Sequence, residues 1–275
     1  MPVVELVAFD GEAAAPRSAT LRAVSDAAEH FGGFVIRDLD VSSDLRQELL
    51  SVTRQFFALP LRDKQRWVPD GWEDRAGFQQ EGPDELFTAG RFDGPDQAMA
   101  AGYPLAVALT LAPNVWPDRP ALMEVVWKTY YRAMESLSER LDRVLAAALD
   151  HDEDAWVDRF EGHLSTLSVR WHPPARRASA AAESTGRVIF DPAAAMSVGS
   201  LDDERPELGD RDGGWHPVPA VPDGFLVTIG TVARRWSGDR WHSPPVRTAA
   251  GEAGRWDGRL SITYVQRPHH DTLVS

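Results

Sequence analysis

The sequence predicts an α+β fold, in which a helical first half precedes a sandwich or barrel of the jelly-roll type. Two observations predict this order. Apolar residues recur with helical spacing before residue 150, whereas after residue 160 the period changes to two and Gly, Pro and Asp turns separate short segments. The composition, with 43% hydrophobic and 26% charged residues, is typical of a globular protein. We expect one domain over 1–275, divided into a helical and irregular region, 1–119, and a long helix plus jelly roll, 120–275.

The first half begins with short elements. A helix is predicted over 18–30 and a short buried strand over 34–36, because Gly32 and Gly33 end the helix. A second helix begins near Ser42, a residue type that caps helix N-termini. Its apolar residues follow at helical spacing: Leu45, Leu49, Val52 and Phe56.

The middle of the chain is predicted to contain an irregular segment followed by a long helix. Residues 68–119 are rich in Gly, Pro and Asp, which predicts a long irregular segment that serves as a lid or a substrate wall. An apolar stripe over 120–149 predicts the longest helix. The strands that should follow it lie at 164–171, 186–191, 194–199, 215–218, 224–229 and 259–266.

Composition excludes several classes of protein. The chain has no cysteine, so it has no disulfide framework, Cys-ligated metal site or thiol nucleophile. Its net charge is −13 and it has no basic run, which argues against nucleic-acid binding. Its apolar stretches are too short to span a membrane, and its first residues do not resemble a signal peptide. We therefore expect a cytoplasmic monomer or homodimer that acts on a small molecule.

Several segments, in order, resemble one enzyme family. They read HFGGFVIRDL, FFALPLRDKQRW, FEGHLSTLSVRWHPP, DGGWHPVPAVPDGFLVTIG, WSGDRWHSPPVRT, RLS and YVQRPHHDTLV. Together they resemble the isopenicillin N synthase-like family of iron(II)- and 2-oxoglutarate-dependent oxygenases over nearly the whole chain. The resemblance implies a double-stranded β-helix (jelly-roll) core with N-terminal helices and one long supporting helix.

The resemblance also locates the positions at which this family binds iron, and two of them have changed. The family uses His-x-Asp on one strand and a distant histidine. Here the matching positions are Ile189, Asp191 and Val246, so both histidines are replaced by hydrocarbon side chains that offer no lone pair. His242 would need a shift of the alignment to replace Val246, and His216 belongs to a hairpin away from the metal. We therefore expect no iron site.

The residues with which the family binds its cosubstrate are partly retained. Arg259 and Ser261 match the family's R-x-S, in which the arginine holds the far carboxylate of 2-oxoglutarate. His172 stands in place of the family's tyrosine and Arg170 in place of its asparagine. Two alternatives remain for Arg259, which either anchors an anionic group of a different ligand or only pairs with Asp191 as part of the barrel.

These residues predict a metal-independent, redox-neutral enzyme that cyclises, rearranges or isomerises a bulky hydrophobic natural product. The predicted catalytic residues are Asp191, His172 and Arg259, although Asp191 is equally well explained as a turn residue at a strand end. No cofactor is expected. The alternatives are an oxygenase with iron(II), 2-oxoglutarate and non-standard ligands, or a non-catalytic binding protein. The predicted substrate-binding residues are Ile189, Val246, Ser261, Trp171, Arg170 and Trp241.

Overall fold

A computed structural model describes residues 1–11, 14–37, 41–71, 76–173, 193–201, 206–248 and 258–272. The helices in these ranges are α1 Val7–Asp10, α2 Ala14–His30, α3 Ser43–Phe57, α4 Leu61–Lys64, α5 Pro95–Ala100, α6 Leu105–Ala108, α7 Met123–Ala148, α8 Glu153–Val157 and α9 Thr231–Trp236. The strands are β1 Val3–Glu5, β2 Gly33–Arg37, β3 Gly77–Glu81, β4 Asp84–Gly90, β5 Thr166–His172, β6 Met196–Ser200, β7 Pro206–Gly209, β8 Trp215–Pro217, β9 Gly224–Ile229, β10 Val246–Thr248 and β11 Arg259–Gln266.

The described strands form two sheets. The larger sheet has eight strands in the order β1-β2-β9-β6-β11-β5-β4-β3, and the smaller has the order β10-β7-β8. Among the described strands only the β1–β2 pair is parallel, and the other pairs of the larger sheet are antiparallel. The smaller sheet carries Leu208 and Val246, which belong to an apolar cluster with Val35 and Leu226 of the larger sheet. This arrangement confirms the predicted double-stranded β-helix core with supporting helices.

The main core lies between the larger sheet and the helices. The predicted long helix is α7, which buries Trp127, Tyr130, Leu137 and Leu141 because apolar residues recur on one of its faces. The predicted cap of α3 is also present, since the Ser42 hydroxyl accepts a hydrogen bond from the Leu45 amide at 3.1 Å. Helix packing therefore covers one face of the sheet.

The segment 68–119 differs from its prediction as an irregular region. It contains the hairpin of β3 and β4, which extends the larger sheet at its edge through pairing of β4 with β5. The alternation that normally identifies a strand is weak here, because Leu86 and Phe87 are adjacent and both buried. The Gly, Pro and Asp residues thus mark turns between short elements.

No helix in the described ranges has a stretch long and apolar enough to cross a lipid bilayer. The apolar residues of the described helices and strands are used instead for packing between layers, as in the main core.

Candidate functional site

The candidate site lies on the face of the larger sheet that the long helix does not cover. Side chains of a strand alternate between faces, and along β5 Leu167 and Val169 are buried in the core whereas Arg170 and His172 are less buried. Along β11, Leu260 and Ile262 face the core. The intervening polar residues therefore line the opposite face.

Strand register brings the predicted residues of this face together. Arg259 lies opposite His172, and Ser261 lies opposite Arg170, in the antiparallel pair of β11 and β5. Directly opposed residues project to the same face. Arg259, Ser261, Arg170 and His172 therefore form one surface.

His172 links this surface to the hairpin of β3 and β4. Its Nε2 lies 3.3 Å from the Ser261 hydroxyl and its Nδ1 lies 3.1 Å from Asp84 Oδ2. Because a carboxylate only accepts hydrogen bonds, Nδ1–H donates to Asp84 and the Ser261 hydroxyl donates to Nε2. Burial and the nearby charges of Arg259 and Arg170 lower the pKa of His172, against the opposing effect of Asp84. We therefore treat the imidazole as neutral near pH 7.

The two arginines of the surface have different surroundings. Arg170 Nη1 donates to Glu81 Oε2 at 2.6 Å and lies 3.9 Å from Asp84 Oδ2, so its charge is already compensated. No acidic side chain in the described ranges forms an ion pair with Arg259. Arg259 is thus the cation of this surface that can engage the carboxylate of a ligand.

Glu81 and Asp84 are site residues that the sequence did not reveal. Both flank the turn of a hairpin within the segment predicted to be irregular. The signal that could have identified them is the sequence EGPDE, in which acidic residues surround a Gly-Pro pair typical of a turn. Pairing of β4 with β5 then places them beside His172 and Arg170.

The two tryptophans predicted to bind substrate lie elsewhere. Trp171 alternates with Arg170 and His172, so its ring points to the opposite face, where it packs against the main core. Trp241 is fully buried in that core. The structure therefore does not bring either residue to the surface of Arg259 and His172.

Val246, which the resemblance places at the distal iron ligand, is described, and its hydrocarbon side chain offers no donor to iron. Val246 lies opposite Leu208 and packs against the apolar cluster of the two sheets. The histidines near it in the sequence are engaged elsewhere, since His242 Nε2 lies 2.9 Å from the Gly209 carbonyl and His216 Nε2 lies 2.6 Å from Asp210. The other two positions, Ile189 and Asp191, fall outside the described residues.

One group of three metal-ligand side chains does occur in the described ranges. His269, His270 and Asp271 place their ligand atoms within 4.8 Å of one another. They follow the C-terminal end of β11, whereas Arg259 begins that strand. This group is therefore not part of the surface formed by Arg259 and His172.

Comparisons with known proteins support the family predicted from the sequence. Residues 1–119 match the family model described as the N-terminal part of non-haem dioxygenases in morphine synthesis. A 2-oxoglutarate-Fe(II) type oxidoreductase of Aspergillus fumigatus is 26% identical over 262 residues, covering 88% of this chain and 75% of that protein. Flavanone 3-dioxygenase of Petroselinum crispum is 24% identical over 276 residues, covering 100% of this chain and 72% of that protein.

Solved structures agree on the fold. A full-length protein of Neurospora crassa, solved in complex with alpha-KG, superposes with a TM-score of 0.83 at 18% identity, covering 99% of this chain and 86% of that chain. The similarities as a whole support the 2-oxoglutarate/Fe(II) oxygenase family, and they support an enzyme.

These comparisons correct two predictions. The metal-independent, redox-neutral cyclase is wrong, because the similar proteins are 2-oxoglutarate/Fe(II) dioxygenases. The expectation of no cofactor is wrong for the same reason, since the relatives and the alpha-KG complex point to iron and 2-oxoglutarate.

Proposed function

We propose that this protein is a 2-oxoglutarate-dependent oxygenase that acts on a small organic molecule and holds 2-oxoglutarate at Arg259 and Ser261. The observation that carries the proposal is the surface on which Arg259, Ser261 and His172 converge. The guanidinium of Arg259 is a suitable donor for a carboxylate, and Ser261 lies on the same face of the strand. 2-Oxoglutarate supplies the reducing equivalents that an oxygenase of this kind consumes.

The surrounding residues orient Ser261 and set the charge of the site. Asp84 fixes the tautomer of His172, so the Nε2 lone pair faces Ser261 and holds its hydroxyl on the ligand-binding face. Glu81 neutralises Arg170, which leaves Arg259 as the site's uncompensated cation among the described residues. Asp84 and Glu81 are therefore positioning residues rather than ligands.

Calorimetric titration of the protein with 2-oxoglutarate, together with detection of succinate, tests this assignment. We expect Arg259→Met to weaken 2-oxoglutarate binding at least tenfold, because it removes the charge and keeps most of the volume. The matched control is Arg143→Met, which removes an arginine of α7 that pairs with Asp154 on the surface. Equal affinity of the Arg259→Met variant and the wild type would contradict the proposal.

We further propose that the metal centre departs from the family's two-histidine set. The apolar packing of Val246 supports this proposal, because a hydrocarbon side chain cannot coordinate a cation. This proposal corresponds to one alternative of the sequence analysis, an oxygenase with non-standard iron ligands.

Titration with Mn²⁺, followed by its paramagnetic resonance signal, tests the departure. We expect weak binding by the wild type and binding at least tenfold tighter by Val246→His, since a histidine there restores a lost donor. The matched control is Val35→His, which introduces a histidine into the same apolar cluster from the opposite sheet. Tight, stoichiometric Mn²⁺ binding by the wild type that Val246→His leaves unchanged would contradict the proposal.

A further inference from the structure

A cavity of about 610 Å³ opens on the side of the larger sheet opposite the surface of Arg259. It lies between α7 and β11, where Ser138 and Asp142 of α7 approach Gln266 of β11. Its volume is in the range of small-molecule sites. The resemblance and the similar proteins assign no role to it.

The base of this cavity is polar and deeply buried. Ser138, Asp142 and Gln266 expose only 1–2% of their surface. Gln266 Nε2 donates to Asp142 Oδ2 at 2.6 Å. The Ser138 hydroxyl and Gln266 Oε1 have no hydrogen-bond partner in the described part of the chain. Buried polar atoms without partners are costly, so these atoms indicate a site for a ligand that donates hydrogen bonds.

The charges at the mouth favour a cation. Glu135 is compensated, since it lies 3.0 Å from His163 Nε2 and 3.6 Å from Arg91 Nε. Other acidic side chains also line the opening. They are Glu139, which pairs with Arg143 at 3.4 Å, and Asp158 and Glu161, against Arg132 as the further lining arginine. Acidic side chains outnumber arginines at the opening, and a concave site with an excess of one charge concentrates ligands of the opposite sign.

The buried carboxyl of Asp142 also favours a cationic ligand. Its burial raises the pKa of the carboxyl well above the usual range, against the hydrogen bond from Gln266. A carboxyl held neutral by burial ionises when a cation is placed beside it, because a buried charge is tolerated when it is paired.

We propose that this cavity binds a small aliphatic amine, with its ammonium group held by Asp142, Ser138 and Gln266. An ammonium offers three hydrogen-bond donors and no acceptor. That matches a carboxylate oxygen, a hydroxyl oxygen and an amide oxygen at the base. The excess of acidic side chains at the mouth attracts the amine.

Calorimetric titration with ethylamine, putrescine and agmatine tests the site, with 1,4-butanediol as the uncharged probe matched to putrescine. We expect at least one amine to bind in the submillimolar range, and the diol to bind at least tenfold more weakly than putrescine. Asp142→Asn should weaken amine binding at least tenfold because it keeps the shape and removes the charge. Arg259→Met should leave amine binding unchanged, since Arg259 lies on the other face of the sheet.

Ser138→Ala is the second variant, and it remains informative where Asp142→Asn does not fold. Alanine is well tolerated in a helix, and this change removes one acceptor of the site. We expect it to weaken amine binding threefold to tenfold. The proposal is overturned when no amine binds, when the diol matches putrescine, or when amine affinity is unchanged in the variant that folds.

Discussion

Gly258 precedes the strand that carries Arg259, and its missing side chain makes room for Trp171. Its φ is +83°, and a Cβ at this position would lie 2.1 Å from the Trp171 ring. Trp171 is the neighbour of His172 on β5 and packs against the main core. We expect Gly258→Ala to lower the free energy of unfolding by roughly 2–4 kcal/mol, because it adds backbone strain and a clash. Urea denaturation measures this change.

The variant Gly213→Ala separates the effect of backbone strain from that of the clash with Trp171. Gly213 has a similar φ of +86°, and nothing lies within 4 Å of the position of its Cβ. We expect this control to cost only the left-handed backbone conformation, about 1 kcal/mol. Similar losses for both variants would show that contact with Trp171 contributes nothing.

The pKa of Asp93 predicts how the stability of the fold responds to acid. Burial alone would raise its pKa, but hydrogen bonds from Lys128, Trp116, Asn114 and Gln97 outweigh this effect and lower the pKa to about 2. A carboxyl with a depressed pKa stabilises the fold fully above its unfolded value of 3.8 and loses that contribution as pH falls towards 2. We therefore expect Asp93→Asn to flatten the decline of melting temperature between pH 4 and pH 2. An unchanged slope would contradict this account.

At the level of single residues, the sequence predicted part of the candidate site. The resemblance placed Arg259, Ser261 and His172 at one site, and strand register brings the three residues together. Asp84 could not be predicted beside His172, because the contact depends on long-range pairing of strands. Trp171 was placed in the pocket by its closeness in sequence, although alternation turns its ring to the other face.

At the level of elements, local sequence patterns identified α2, α3, α7 and the central strands. The cap and stripe of α3 and the apolar stripe of α7 are local signals, and both helices are present. The hairpin of β3 and β4 was not predicted, since its stability comes from pairing with β5 rather than from a pattern of its own. Short strands such as β10 likewise depend on partners distant in the sequence.

The hairpin is anchored to α4 by a buried ion pair. Lys64 Nζ lies 2.6 and 2.5 Å from the two carboxylate oxygens of Glu85 and 2.8 Å from the Phe57 carbonyl. The Lys64 side chain is 4% exposed. We expect Lys64→Met to lower the free energy of unfolding by about 3 kcal/mol, because it leaves the Glu85 carboxylate partly buried without its cation. Chemical denaturation measures the loss.

The chain offers a matched control, because Lys128 is its only other lysine. Lys128 pairs with Asp93 and Glu124, but its side chain is 32% exposed. We expect Lys128→Met to cost about 1 kcal/mol, since solvent screens a more exposed pair. A loss as large as that of Lys64→Met would mean that burial does not set the cost.

At the level of the whole molecule, the larger sheet separates two environments. One face packs on α7 and its neighbours and contains the cavity of Asp142, whereas the other bears Arg259 and His172. Both regions share β11, a strand whose residues alternate between the two faces. The larger sheet therefore separates its two faces, and each face can carry a ligand site.

The order of the strands predicts which parts of the larger sheet unfold locally most easily. Strands β9, β6 and β11 have neighbours on both sides, and β9 is buried along its whole length. Strands β1 and β3 lie at the two edges. Amides exchange slowly where opening requires disruption of the core. We expect amide hydrogens of β6, β9 and β11 to exchange at least tenfold more slowly than those of β1 and β3, as measured by mass spectrometry. Equal protection of β3 and β11 would mean that the hairpin and the central strands open as one unit, which would place the support of His172 by Asp84 in the most stable part of the fold.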